Sequence, residues 1–312
     1  MTLARAIELA ERGRGTTHPN PVVGAVVVSG GEVVGEGWHE RKGGPHAEVV
    51  ALAAAGERAR GSTLYVTMEP CTHHGDTPPC TTAVLEAGVA RVVAGSRDPN
   101  PKAGGGLEAL RAKGVDVELV DSFDARAQNE AWRTWISQGR PFVTYKAAMT
   151  LDGRLTAPRD RWISGDASRR LVHELRAASD AVAVGMGTVR ADAPRLDARG
   201  VGAARQPRRL ALGQGPLPER SELELRTGPL ARELAQLADE GVQSLLLEGG
   251  PTLASAFLRE DLVDKLLVFV APKLSGDGPH LVEGDIPHRR LSRLQAQASG
   301  EDVLLTAYVH EP

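Results

Sequence analysis

This chain has only two cysteines, and each follows a proline: Pro70-Cys71 and Pro79-Cys80 stand downstream of His46-Ala47-Glu48. No other feature limits the fold as much. One imidazole and two thiolates make three zinc ligands and leave the fourth tetrahedral position to water, as catalytic rather than structural sites do. The fold must therefore bring residues 46, 71 and 80 to one point, with Glu48 beside them but not bound. The flanking residues suggest how. Residues 62–67 (Ser-Thr-Leu-Tyr-Val-Thr) are rich in β-branched and aromatic side chains and predict a buried strand whose carboxyl end leads to Cys71. Pro78-Pro79-Cys80 opens a predicted helix through Ala87, closed by Gly88. His46 opens an apolar helix over 49–55 after the loop Gly43-Gly44-Pro45. A thiolate at a helix start is favoured by the free amides and the helix dipole. Two helix starts facing one cavity can deliver His from one and Cys from the other.

Taken singly, each residue has a plainer reading. A buried His is usually just hydrogen-bonded, and two lone cysteines are usually inert core residues. A disulfide would suit a cysteine-rich chain in an oxidising compartment, which this is not. The conjunction decides. H-x-E followed by P-C…C is the signature of zinc deaminases. In such a site zinc lowers the pKa of water, and a non-ligand Glu moves its proton to the leaving amine. The spacing predicts hydrolytic deamination.

At 312 residues the chain predicts two domains. A net charge of -3 gives no basic footprint for nucleic acid, and an aromatic content of 4% gives no stacking channel for a single strand. No apolar run approaches the roughly 18 residues of a membrane span. Residues 1–10 alternate apolar and charged side chains as an amphipathic helix rather than a signal peptide, so the cytoplasm is the expected compartment. Strands over 22–29 and 32–37 bracket the turn Gly30-Gly31; strands over 90–95 and 115–120 are separated by a helix over 107–113. The class is α/β, and this half predicts a three-layer α/β/α domain around a mixed sheet. An amphipathic segment over 123–137 leads to Gly139-Arg140-Pro141. That places a domain boundary between 1–139 and 140–312, with a second strand-helix series from residue 142.

The chain resembles the bifunctional deaminase/reductase family of riboflavin biosynthesis over nearly its whole length. The first half matches at Thr17-His18-Pro19-Asn20-Pro21-Val22-Val23-Gly24, Gly37-Trp38-His39 and Gly44-Pro45-His46-Ala47-Glu48. It matches again at Glu69-Pro70-Cys71-Thr72-His73-His74-Gly75, Thr77-Pro78-Pro79-Cys80 and Asp98-Pro99-Asn100-Pro101. Eight residues separate the cysteines, where the general deaminase motif has two. The resemblance implies a cytidine-deaminase-like domain with zinc on His46, Cys71 and Cys80, Glu48 as proton shuttle, and Asn20 and His39 in the substrate pocket. His73 and His74 suit either a substrate phosphate or ordinary loop hydrogen bonds. Asp76 departs from the family, which carries Lys or Arg there; an acid repels a phosphate unless it is paired.

The second half resembles the family's reductase domain, of dihydrofolate-reductase-like fold. The matching residues are Lys146-Ala147-Ala148-Met149-Thr150-Leu151-Asp152-Gly153-Arg154, Trp162-Ile163-Ser164 and His173-Glu174-Leu175-Arg176-Ala177. Further matches are Ala183-Val184-Gly185-Met186-Gly187-Thr188-Val189, Asp192, Pro194, Leu196, Arg199 and Leu247-Glu248-Gly249-Gly250-Pro251-Thr252-Leu253. The last run reads as strand, glycine turn and helix, where backbone amides can approach a pyrophosphate. The resemblance implies NADPH contacts at Ala148, Trp162, Ser164, Thr188, Asp192, Gly250, Pro251, Thr252 and Leu253. It implies substrate contacts at Arg176, Leu196, Arg199 and Glu248, with the two arginines clamping a ribose phosphate. Asp160 stands where the family has Ser, Ala193 where it has a second acid, and 205–224 looks short and irregular. Arg208 and Arg209 precede a probable strand and offer charge for an adenosine 2′-phosphate, although adjacent arginines flanking a strand are most often solvated.

The expected function is a two-step enzyme using zinc and NADPH. It removes the 2-amino group of 2,5-diamino-6-ribosylamino-4(3H)-pyrimidinone 5′-phosphate, then reduces the ribosyl group to ribityl. Its partner is a small phosphorylated pyrimidine, with no nucleic acid and no membrane, and family members are often homo-oligomers. The alternatives are an active deaminase whose second half only binds ligand, a nucleic-acid-editing deaminase, and a zinc-stabilised binding module.

Overall fold

The computed structural model describes residues 2–75, 77–157, 160 and 162–312. It divides into two units, Met1–Gln138 with Pro312, and Gly139–Glu311. No helix among the described residues is long and apolar enough to cross a membrane.

The first unit runs α1 (Thr2–Glu11), β1 (Gly24–Ser29), β2 (Glu32–Trp38), α2 (Ala47–Ala55), β3 (Thr63–Val66), α3 (Cys80–Glu86) and β4 (Arg91–Ala94). It continues with α4 (Gly106–Ala112), β5 (Asp116–Leu119), α5 (Phe123–Ala127) and α6 (Glu130–Gln138). The strands form one mixed sheet in the order β2-β1-β3-β4-β5, antiparallel at β2, β1 and β3 and parallel from β3 to β5. The period-2 alternation of a strand sorts its residues between two faces. Ala25, Val27, Leu64 and Val66 pack with α2, α3 and α4, while Val26 and Tyr65 meet α1. These are the three layers expected. A Cβ on Gly37 would sit 2.6 Å from the Ala47 carbonyl oxygen, so this glycine lets α2 lie directly on β2. That close contact fixes where His46 enters the site.

The amphipathic segment 123–137 forms two helices, and the strand predicted from Val22 begins at Gly24. Between α5 and α6 the buried Asn129 amide donates to the Val22 carbonyl (2.9 Å) and accepts from the Val22 amide (2.9 Å). One side chain thus satisfies the Val22 backbone where the strand has not yet begun.

The second unit runs β6 (Phe142–Thr150), α7 (Asp166–Ala178), β7 (Ala181–Gly185), α8 (Met186–Asp192), β8 (Arg208–Leu212), β9 (Glu224–Arg226) and α9 (Leu230–Asp239). It ends with β10 (Ser244–Leu247), α10 (Pro251–Arg259), β11 (Lys265–Ala271), β12 (Ser292–Ser299) and β13 (Asp302–Tyr308). Its sheet has the order β12-β13-β11-β6-β10-β7-β8-β9, parallel from β11 to β9 and antiparallel at the β13 and β12 edge. Alternate strand residues pack on α9 and α10 on one face, with Leu237 and Phe257 at the centre. The other face packs on α8 through Val182 and Val184, and on α7 through Phe269. Within the stretch 205–224, the probable strand at Arg208 and Arg209 is β8, buried over Leu210, Ala211 and Leu212.

Candidate active sites

In the first unit the carboxyl ends of β3 and β4 open into a cavity of about 400 Å³, a size that suits a small molecule. His46 is the N-cap of α2, and Cys80 is the first residue of α3 behind Pro79, so both predicted helix starts are present. His46 Nδ1 lies 3.1 Å from Cys80 Sγ and 3.6 Å from Cys71 Sγ, and the three ligand atoms fall within 4.8 Å of one another. Zn–S and Zn–N bonds at a tetrahedral angle put neighbouring ligand atoms roughly 3.6–3.8 Å apart, so this donor set fits the ion. The sulfurs share protons unequally. Hydrogen bonding with Cys80, and then with His46, holds the Cys71 thiol far below its usual range, while the bond to Cys71 and burial push Cys80 up. Glu48, one helical step inside α2, is 3% exposed, and burial raises its carboxyl to about 7.

The predicted pocket residues meet. His39 Nδ1 faces the Pro45 carbonyl at 3.0 Å; because that oxygen only accepts, Nδ1 carries the proton. Nε2 is then an acceptor, 3.4 Å from the Asn20 amide nitrogen. Burial lowers the His39 pKa, which suits this neutral tautomer. The His39 and His46 rings meet edge to face at 5.4 Å. His73 lines the cavity and His74 does not; Asp76 lies outside the described residues.

Several residues here carried no sequence-based assignment. Buried Glu69 accepts from the Asp98 and Leu107 amides, both at 3.1 Å, and ties the Cys71 loop to β4 and α4. Asp98, raised to about 6 chiefly by burial, and Asn100 line the cavity with Trp132, Trp135 and Ile136 of α6. The 132, 135, 136 spacing was the readable sign of one helical face. It was hidden because the segment looked like a lead-in to a boundary.

In the second unit Glu248 and Gly250 lie at the carboxyl end of a parallel strand, where open α/β sheets bind ligands. Glu248 follows β10 and is held by three cationic contacts: Arg176 Nε (2.6 Å), Arg176 Nη2 (3.0 Å) and Lys146 Nζ (3.0 Å). Burial works against its charge, but Lys146 and Arg176 hold its pKa down to about 2. In this arrangement the fork of Arg176 grips Glu248. Lys146, quoted in the motif without a role, belongs to the cluster. Arg199 Nη1 binds Asp197 Oδ1 at 2.5 Å, and Leu196 is buried at φ 55° in the core against β7 and α8.

Gly250 caps α10, and a Cβ built on it would lie 3.8 Å from Thr188 Oγ1, so the two predicted cofactor positions are neighbours. Asp192 lies at the far end of α8, and Ala193 caps that end at φ 41°. Trp162 and Ser164 line a separate open recess with Asp160, Arg169, Lys273 and Asp302. Asp160, the departure from Ser, pairs with Lys273 Nζ at 3.0 Å. Ala148 sits in β6 opposite Phe269 of β11. Arg208 binds Glu224 (2.8 Å) and Glu240 (2.6 Å), and Arg209 binds Glu222 (3.0 Å), so carboxylates already occupy both groups offered for a 2′-phosphate.

Comparison with known proteins matches residues 1–96 to the cytidine and deoxycytidylate deaminase zinc-binding region and residues 141–305 to the RibD C-terminal domain. The chain belongs to the RibD family. The riboflavin biosynthesis protein RibD of Aquifex aeolicus is 40% identical over 96% of this chain and 95% of its own length. RibD of Mycobacterium tuberculosis is 44% identical over 90% and 87%. The solved Acinetobacter baumannii RibD superposes with a TM-score of 0.85 at 36% identity, covering 98% of this chain and 97% of that one. A Thermotoga maritima diaminohydroxyphosphoribosylaminopyrimidine deaminase/5-amino-6-(5-phosphoribosylamino)uracil reductase gives 0.82 at 35% identity, covering 99% and 97%. RibD is the bifunctional deaminase and reductase of riboflavin biosynthesis. Both halves are present here, with zinc and NADPH as their cofactors.

Proposed function

We propose that Glu48 is the proton shuttle of the deaminase half and that the Glu248 cluster is the reacting end of the reductase half. One observation carries the first assignment. A buried carboxyl lies beside three converging zinc ligands and is not one of them. Zinc held by His46, Cys71 and Cys80 supplies a Lewis acid that makes water acidic. Glu48 accepts the proton of the attacking water and hands protons to the ring nitrogen and the departing ammonia. Asn20 presents amide donors and an acceptor to the pyrimidine edge, held in place by neutral His39.

NADPH supplies the hydride in the second half. The Gly249-Gly250 turn and the first-turn amides of Thr252 and Leu253, beside Thr188, fit its phosphates. Trp162, Ser164, Ala148 and Asp192 are kept as proposed cofactor contacts from the family pattern. Lys146, Arg176 and Glu248 form a charged group that can orient ribose hydroxyls and hold a proton near the reduced carbon. Arg199 is proposed for the substrate phosphate, and Leu196 contributes through its backbone. The cytosol is the proposed compartment, and a homo-oligomer is carried from the family pattern, to be read by sedimentation.

The test is ammonia release from the diaminopyrimidinone phosphate by zinc-loaded chain, with Glu48→Gln alongside. The variant keeps stoichiometric zinc and loses about 10²–10⁴ in rate. Near wild-type ammonia release from metal-replete Glu48→Gln would remove Glu48 from the mechanism.

A further inference from the structure

We propose that α6 is a wall of the deaminase pocket and that Trp135 packs against the face of the substrate's pyrimidine ring; this rests on the deaminase reading above. Three observations converge on it. Trp132, Trp135 and Ile136, spaced i, i+3 and i+4, present one side of α6 to the cavity that also contains Asn20, His46 and Glu48. Trp132 is buried and fills the wall, whereas Trp135 is half-buried and keeps ring surface toward the cavity.

The helix is also fastened to the pocket's own loops at two points. Asn129, immediately before α6, makes two side-chain hydrogen bonds to Val22, next to the lining residue Pro21. Arg133 Nη1 donates to the Arg97 carbonyl at 2.8 Å, next to the lining residue Asp98. A wall anchored on both sides of the cavity is preorganised, and a preorganised aromatic contact loses little entropy when a ligand arrives.

The chemistry selects the ring. Asn20, His39 and the zinc ligands address edges and the reacting carbon, which leaves the flat faces of a diaminopyrimidinone to be covered. An indole covers such a face well, and it gives a phosphate no comparable contact.

Binding is measured without turnover, in the full zinc-loaded Glu48→Gln chain, using 2,5-diamino-6-ribosylamino-4(3H)-pyrimidinone 5′-phosphate as probe and ribose 5-phosphate as ring-free competitor. Replacing Trp135 with Ala or Leu raises the probe Kd about tenfold or more, the range seen when a base loses an aromatic partner. Trp135→Phe stays within about threefold, since it keeps the aromatic face. Zinc content and the ribose 5-phosphate constant do not change. With Glu48 restored, Trp135→Ala raises KM for ammonia release while kcat moves less than about threefold. Equal probe affinity in the Leu, Phe and parent chains overturns the proposal, as does loss of zinc in the Phe or Leu variant, which would make Trp135 a packing residue. A parent that binds the probe but whose Glu48 form releases no ammonia sinks the deaminase reading and leaves the ring contact standing. A parent that does not bind the probe ends both.

Discussion

At the scale of single residues, the two sites solve opposite electrostatic problems. Glu48 is buried, and burial raises its pKa; Glu248 is half-buried, and Lys146 and Arg176 hold its proton off. The first suits a group that must gain and lose protons, the second a fixed charge. The sign of the second has a stability consequence. A carboxyl whose folded pKa lies below its ordinary 4.5 contributes stability above that value, and loses it as pH falls toward about 2. Removing Arg176 leaves Glu248 with Lys146 as its cationic partner, at a cost of about 1–3 kcal/mol. Arg176→Met should therefore lower the thermal stability of the second unit at pH 7, weaken its acid sensitivity between pH 4.5 and 2, and abolish NADPH oxidation. Ammonia release should stay within about twofold. Calorimetry across pH and the two assays check this, and unchanged melting with normal reductase turnover would contradict it.

At the scale of elements, the zinc ligands depend on how tightly α4 docks under the Cys71 loop. A Cβ on Gly106 would stand 1.7 Å from the Pro70 carbonyl oxygen, the backbone group immediately before the ligand. Glu69 fastens the same loop from the other side through the Leu107 amide. Gly106→Ala must displace either the loop or the helix, and overpacking of this kind typically costs about 1–3 kcal/mol. The expected outcome is weaker zinc retention under chelator and lower ammonia release, with reductase turnover preserved. Full zinc retention would show that the loop yields without moving Cys71. None of this was readable from sequence, because a glycine at a helix start looks like punctuation until its neighbour is known. The helix starts at His46 and Cys80 were readable, since proline and the apolar runs behind them are local signals. The break at Asn129 was not, since its partner Val22 lies far away in sequence and nothing near residue 129 announces it. In the reductase half the same limit fell on charge. The Arg176–Glu248 pair was not readable, because Glu248 lies on another element.

At the scale of the whole molecule, each half has its own sheet, its own helices on both faces and its own chemistry. The family motifs fall cleanly on either side of residues 139–141. Contacts within Met1–Gln138 and within Gly139–Glu311 define two units, and a unit with its own core can fold alone. The inference about α6 sharpens where a cut can fall. Truncation before residue 129 would remove the Asn129 anchor and the tryptophan wall, whereas truncation after Gln138 keeps both. A fragment of residues 1–138 should therefore bind zinc stoichiometrically, release ammonia within about fivefold of the full chain and oxidise no NADPH. A fragment of residues 1–128 should lose most deamination even where it keeps its metal, because the pocket is open on one side. Metal analysis and both assays on the two fragments decide it. If the longer fragment is insoluble or inactive, the halves depend on one another to fold. If the shorter fragment is as active as the longer, α6 is not part of the pocket.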